Sequence, residues 1–377
     1  MKKVLSIVLV LVLIGTMFAG CGGPSTFEIA LITDKGNIDD KSFNQGSWDG
    51  VVEFAKANKI SHKYYKPEDA TDAAYLASID LAVTGGAKVV VTPGFLFEVA
   101  VFEAQTKYPN IKFILLDGSP HTPDYKDNTI KENVASIKYA EEESGYLAGY
   151  AAVKDGLTKL GFMGGMAVPA VQAFGYGYLQ GAEAAAAEMG LADGSISVTY
   201  HYTGDFAETD TNKATAKTMF QEGADVIFAC GGSVGKSVMS AASEASKKVI
   251  GVDVDQRYDS DTVMTSATKG LGASVKQVLE AIYKTNGWNK FAGTTTYFDA
   301  KNGGVGLPTV VIGDAKANAF DRFKSFNKAN YDVVYAKLVD GSIDPIREIK
   351  VADPNGYATA DELVSGLKLA KVAVVTR

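Results

Sequence analysis

The chain of 377 residues is poor in the side chains that usually build cofactor and disulfide sites: two cysteines, three histidines and two tryptophans. Cys21 and Cys230 are too few for a disulfide scaffold. His62, His121 and His201 stand alone, with no Cys or His neighbour at ligand spacing, so no zinc or iron pattern is present. A basic excess is also missing. Lys and Arg number 37 against 44 Asp and Glu, a formal charge of −7, so there is no basic surface for phosphate backbones and nucleic acid is not an expected partner. No low-complexity segment, internal sequence repeat or coiled coil is visible. At 46% hydrophobic and 21% charged residues the composition is globular, and the length exceeds one ordinary core, so two lobes are expected.

The N-terminus reads as a targeting segment. Met1-Lys2-Lys3 precedes an apolar stretch, Val4 to Ile14, that is short for a bilayer span and suits a secretory signal. Phe18-Ala19-Gly20-Cys21 follows and resembles the bacterial lipobox, in which small residues admit a peptidase and the cysteine is then lipidated; Phe18 stands where leucine is usual. Residues 1–20 are therefore expected to be removed, Cys21 to carry the lipid, and 21–26 to form a short tether through Gly22-Gly23-Pro24-Ser25. Loss of Lys2 and Lys3 takes the charge from −7 to −9. The expected location is the extracytoplasmic face of a bacterial cell membrane.

Hydrophobic periodicity then alternates between strand and helix. Strands are expected at 27–33, 60–65, 87–92 and 111–117, with helices at 43–58, 70–84 and 95–107. A second run gives strands at 159–163, 197–202, 225–230 and 249–253, with helices at 141–153, 174–189, 212–221 and 234–246. Unbroken apolar strands such as Val89-Val90-Val91 and Phe113-Ile114-Leu115-Leu116 indicate parallel sheets covered on both faces. The fold class is thus α/β, with two doubly wound parallel-sheet lobes joined by a hinge. A strand-like 133–137 places the first crossing near 134–138. The helices expected at 271–283 and 319–339 are too few for a third domain, so the chain recrosses. One lobe is expected to hold 27–136 plus about 268–300, the other 137–267 plus about 301–377.

Two motifs invite an enzymatic reading. Gly231-Gly232-Ser233-Val234-Gly235 matches G-x-S-x-G between a strand and a helix, but such a hydrolase needs its histidine after the serine, and all three histidines precede Ser233. Gly235-Lys236-Ser237 looks like the end of a P-loop, except that Cys230 occupies the position of its first glycine. Gly175, Gly177 and Gly181 miss dinucleotide spacing and read as a helix of small residues packed on a sheet. Asp34, Asp39 and Asp40 lack calcium-loop spacing. No catalytic residue, metal or cofactor is expected.

In open α/β sheets ligands sit off the carboxyl ends of strands. The loops there combine carboxylates, glycines and aromatics, which suits a small neutral polar ligand. The densest polar cluster is 33–46, where Asp39 and Asp40 are N-cap candidates. Phe43 beside Asn44 suits stacking on and bonding a flat ligand. Thr33-Asp34-x-Gly36-x-x-Asp39-Asp40-x-Ser42-Phe43-Asn44, Leu116-Asp117-Gly118, Phe174-x-x-Gly177-x-x-x-Gly181-Ala182, Cys230-Gly231-Gly232, Val252-Asp253-x-Asp255-Gln256 and Ser266-x-x-Lys269 together resemble the basic membrane protein family. Its members are substrate-binding lipoproteins of ABC importers, including the purine nucleoside receptor type.

The resemblance implies a type I periplasmic binding protein-like fold whose interlobe cleft closes on a nucleoside. It implies that Phe43 and Phe174 sandwich the base, that Asn44 and Asp117 read its polar edge, and that Asp253 and Lys269 clamp the ribose. Asp34 and Gly232 are further residues of the cleft, and Gln172 is the one polar group in 166–173 able to read the base. The implied partners are a nucleoside, ABC permease subunits and the membrane through the lipid, with the protein itself a monomer. The rival readings are a receptor for a sugar or another small polar ligand, and a secreted serine hydrolase using Ser233.

Overall fold

The computed structural model describes residues 27–314, 316–352 and 356–377. The expected signal, the lipid-bearing Cys21 and the tether lie outside the described residues.

Two sheets organise the chain. The first contains β1 (Ile29–Ile32), β2 (His62–Tyr65), β3 (Val89–Pro93), β4 (Lys112–Leu116), β5 (Val134–Tyr139) and β11 (Thr294–Phe298), in the order β11-β5-β4-β3-β1-β2. The second contains β6 (Lys159–Gly164), β7 (Ile196–Tyr202), β8 (Val226–Cys230), β9 (Lys248–Asp253), β10 (Val263–Lys269), β12 (Val305–Gly306) and β13 (Val372–Thr376), in the order β12-β10-β9-β8-β6-β7-β13. All pairs are parallel except β10 with β12. Five consecutive strands of each sheet repeat one order, 5-4-3-1-2 and 10-9-8-6-7, so each lobe is the same doubly wound plan with the chain reused. That repeat is topological and leaves no trace in the sequence.

The inner strands are buried on both faces because helices cover both, while the edge strands β2, β11 and β13 keep exposed residues. α1 (Phe43–Asn58) and α8 (Leu271–Tyr283) lie on one face of the first sheet, and α2 (Asp72–Thr84) and α3 (Glu98–Lys107) on the other. In the second lobe α4 (Glu141–Lys154) and α5 (Pro169–Glu188) lie on one face, and α6 (Asp210–Gln221) and α7 (Val234–Ala245) on the other. α9 (Lys328–Val339) and α10 (Ala360–Leu367) belong to the C-terminal segment, which ends in β13 against β7. The chain passes between sheets after β5, after β10 and after β11. β5 and β11 are neighbours in the first sheet and β10 and β12 in the second, so the three passages run side by side as a hinge.

α4 and α5 meet almost backbone to backbone. A Cβ on Gly145 would sit 2.1 Å from Phe174 O, and on Gly149 2.0 Å from Tyr178 O; Gly177 and Gly181 meet Glu142 O and Tyr146 O as closely. These small residues therefore serve helix-on-helix contact rather than the helix-on-sheet packing expected; only Gly175 faces the sheet, against Tyr200 and Phe162. α5 also begins at Pro169, five residues before the expected start, because Pro fits the first helical turn. The expected helix 319–339 is helical only from Lys328. Phe320, Phe323 and Phe326 mimic helical spacing, but they cluster on a turn whose Ser325 and Phe326 N–H groups donate to Asp155, and Asn327 caps the helix that follows.

The α4–α5 contact holds Phe174 in place, so its cost is measurable. Gly149→Ala and Gly181→Ala are each expected to destabilise by about 1–3 kcal/mol through overpacking, seen as a lower melting temperature in thermal unfolding, whereas Gly235→Ala, whose Cβ would meet nothing closer than 3.8 Å, should change it little.

Candidate functional site

The carboxyl ends of both sheets open on one cleft, lined from the first lobe by Asp34, Phe43, Asn44, Gly94, Phe95, Leu96 and Asp117, and from the second by Val171, Phe174, Phe206, Cys230, Gly232, Asp253 and Lys269. All eight expected binding residues are thus brought together. Phe206, Phe95, Leu96 and Val171 were not singled out from sequence, because apolar residues at helix starts and singly in loops are ordinary. Gln172, the expected polar reader, instead donates to Gly356 O in the C-terminal segment.

The loop after β1 is built around one carboxylate. Asp40 accepts from the N–H groups of Ser42 (2.8 Å), Asn44 (2.9 Å) and Gln45 (3.1 Å), capping α1 from three residues before its start. Asn44 Nδ2 donates to Asp34 (2.8 Å) and to Asp40 (2.9 Å), and its Oδ1 accepts from Asp34 N (3.1 Å). Both amide hydrogens are therefore committed within the loop. Asn44 shapes the cleft wall, and donation to a base, which the resemblance implied for it, would break one of these bonds.

Asp117 and Asp253 occupy equivalent places, at the ends of β4 and β9, which hold the same position in the two sheets. Both have left-handed backbones, φ 55° and 67°, a conformation aspartate tolerates better than most residues but at some cost. Between them lies the Lys269 ammonium, 2.5 Å from Asp117, 3.5 Å from Asp253 and 3.7 Å from Glu141. Its nearest carboxylate is thus Asp117, across the cleft, rather than Asp253. It also lies 4.5 Å from the Phe43 ring centre and 5.5 Å from that of Phe174, so the two rings converge on a cation. Lys269 is the last residue of β10, and its side chain is 2% exposed. Glu141 in turn pairs with Arg347 at 2.7 Å. Neither Glu141 nor Arg347 was foreseen; three glutamates opening a helix look like a response to its dipole.

Burial dominates the electrostatics. It pushes the Asp117 carboxyl up to about 7 although Lys269 pulls it down, and the Asp34 carboxyl up to about 6 against bonds from Gly36 and Asn44. Burial would lower Lys269, but Asp117, Asp253 and Glu141 outweigh it and hold the ammonium well above the ordinary lysine value. Asp117 Oδ1 is buried and accepts no hydrogen bond. An unpartnered buried acceptor is costly, and the cleft is where a donor could reach it.

Four contacts tie the lobes at the rim. Ser42 Oγ donates to Asp253 at 2.5 Å, Gln256 Nε2 to Lys41 O at 2.8 Å and Lys236 Nζ to Asp39 O at 3.1 Å, while Lys41 lies 3.9 Å from Asp259. Lys236, the residue that mimicked a P-loop, thus touches the opposite lobe. Ser233 has no imidazole: His62 donates to Ile60 O, His121 meets Thr122 O and Glu98, and His201 donates to Arg377 O.

Two α/β lobes with a polar, aromatic-lined cleft at the strand ends define the solute-binding class. The chain is similar to a crystal structure of an ABC transporter solute-binding protein from Aeropyrum pernix K1, with a TM-score of 0.75 and 22% identity over 91% of this chain and 97% of that one. The fold alone is shared with a Lac repressor bound to ONPG, with a TM-score of 0.52 and 12% identity over 78% and 83% of the two chains. Residues 27–339 match the Bmp family model, described as ABC transporter substrate-binding protein PnrA-like, and the chain belongs to that family. The family consists of substrate-binding proteins of ABC transporters, which act outside the cytoplasm. The chain is 33% identical over 319 residues to the ABC transporter nucleoside-binding protein BmpA of Lactococcus lactis subsp. cremoris (strain MG1363), covering 78% of this chain and 85% of that protein. It is 27% identical to basic membrane protein A of Borreliella burgdorferi (strain ATCC 35210 / DSM 4680 / CIP 102532 / B31), covering 88% and 94%.

The raised carboxyls imply a pH effect with a definite sign. The stability that Asp34 contributes is present below its unfolded value of 3.8 and lost as pH rises through about 6. The ligand-free protein should therefore melt at a higher temperature at pH 5 than at pH 7.5. Asp34→Asn, whose Oδ1 can keep both accepted bonds, should raise the melting temperature at pH 7.5 and flatten this dependence; an unchanged slope in calorimetry would contradict the assignment.

Proposed function

We propose that this protein captures nucleosides, purine nucleosides foremost, in the interlobe cleft and presents them to an ABC permease, held at the membrane by a lipid on Cys21. The observation that carries this reading is the buried, unpartnered Asp117 Oδ1, set beside Lys269 where Phe43 and Phe174 converge. A flat heterocycle covers aromatic faces, its N–H groups satisfy a carboxylate, and ribose hydroxyls both donate to Asp253 and accept from Lys269. The printed name of the Lactococcus lactis relative points the same way.

The ligand would contact both lobes only when they are closed, so it shifts the hinge equilibrium by its differential affinity for the closed form, and the permease reads that form. A nucleotide fits poorly. Its phosphate would meet Asp34 or Asp253 without a free cation, a repulsion that favours the neutral nucleoside. The protein acts as a monomer and without a cofactor; among the described residues no side-chain pair in the cleft has the nucleophile–base arrangement of a hydrolase.

Titration calorimetry with adenosine, guanosine, inosine, uridine and ribose tests this. Nucleosides should bind and free ribose should bind far more weakly; binding of ribose alone, or turnover of any nucleoside, would overturn the reading. Phe43→Ala should weaken nucleoside binding by about 1–3 kcal/mol if the base stacks there, and unchanged affinity would place the base elsewhere.

A further inference from the structure

We propose that Arg347, in the C-terminal segment, is a positioning residue for the ligand, acting through Glu141 to keep the Lys269 ammonium on the two cleft aspartates. This rests on the reading that Lys269 touches the ligand. Arg347 lies beyond the residues matched by the family model, which end at 339, and it does not line the cleft. The segment is fixed along α5 by a pair of bonds: Ile346 N donates to Gln180 Oε1, and Gln180 Nε2 donates to Ile346 O, both at 2.8 Å. From there Arg347 Nη1 donates to Tyr139 O at 2.8 Å and to Glu142 at 2.6 Å, and lies 2.7 Å from Glu141 Oε2.

Glu141 is 1% exposed and stands between two cations, with Lys269 3.7 Å from its other oxygen. Four carboxylates, Asp117, Asp253, Glu141 and Glu142, share Lys269 and Arg347, with the buried Asp40 and the half-buried Asp34 lining the same cleft. The long Lys269–Glu141 separation holds only while Arg347 balances Glu141. Without that guanidinium, Glu141 has one cation left, and the attraction draws Lys269 off Asp117 and Asp253, because a buried carboxylate without a partner is strongly unfavourable. Lys269 is the last residue of β10 and Glu141 follows β5, so the exchange takes place at two of the hinge passages.

The test is a cycle of Arg347→Gln, which keeps a donor for Tyr139 O but no charge, Glu141→Gln, and both together. In calorimetry with inosine, Arg347→Gln should raise the dissociation constant about tenfold, the double variant should return to within about twofold of the parent, and Arg347→Lys should stay close to it. In the ligand-free protein, Glu141→Gln should change the melting temperature more favourably in the Arg347→Gln background than in the parent. Additive effects on melting, or a double variant that binds no better than Arg347→Gln, would overturn the proposal. If the parent binds no nucleoside, the nucleoside reading fails, while the ligand-free cycle still decides the Arg347–Glu141 coupling. Should Arg347→Gln alone fail to fold, the double variant with Glu141→Gln should recover folding and nucleoside binding, and a double variant that also fails to fold overturns the proposal.

Discussion

One ammonium buried among carboxylates from both lobes sets the terms for the rest of this structure. Lys269 comes from the second sheet, and its closest partner, Asp117, comes from the first. Removing such a group from water is expensive and is offset only when its partners are placed well. The lobes cannot separate without stretching that pair, so the electrostatics of the site and the geometry of closure are one problem. The rim contacts from Ser42, Lys41 and Asp39 add to it, and each joins the loop after β1 to the second lobe. An opening motion breaks these together, and a ligand that donates to Asp117 while accepting from Lys269 strengthens them together.

The placement follows from the fold. Parallel strands send all their carboxyl ends to one edge, and two such sheets joined by three neighbouring passages set those edges face to face. Equivalent positions then yield the same device twice, an aspartate in a left-handed conformation at Asp117 and at Asp253. The glycine contacts between α4 and α5 fix the helix that carries Phe174. Packing thus sets the aromatic wall and strand register sets the acids, while the charge balance behind them reaches Arg347 in the tail.

Much of this was legible in the sequence, for physical reasons that differ by element. Strands such as Val89–Pro93 show as unbroken apolar runs because helices cover both faces, and α1 shows through its period. The cleft residues were recognisable through the family resemblance that their motifs carry, at the ends of β4, β9 and β10 and on α1 and α5. What stayed hidden depends on neighbours distant in sequence. Asn44 reads as a free amide until Asp34 and Asp40 are seen to claim it. Gly177 and Gly181 signal close packing without saying on what. Glu141 and Arg347 are 206 residues apart and no local pattern joins them. The three phenylalanines at 320–326 carry helical spacing on a turn, where period alone cannot separate a helix from a cluster.

The most direct test is a crystal structure of the protein grown with a purine nucleoside. The account predicts the base against Phe43 and Phe174, a ligand donor on Asp117 Oδ1, and Lys269 still between Asp117 and Asp253. A nucleoside bound elsewhere, or one in the cleft that leaves Asp117 Oδ1 without a donor, would contradict it.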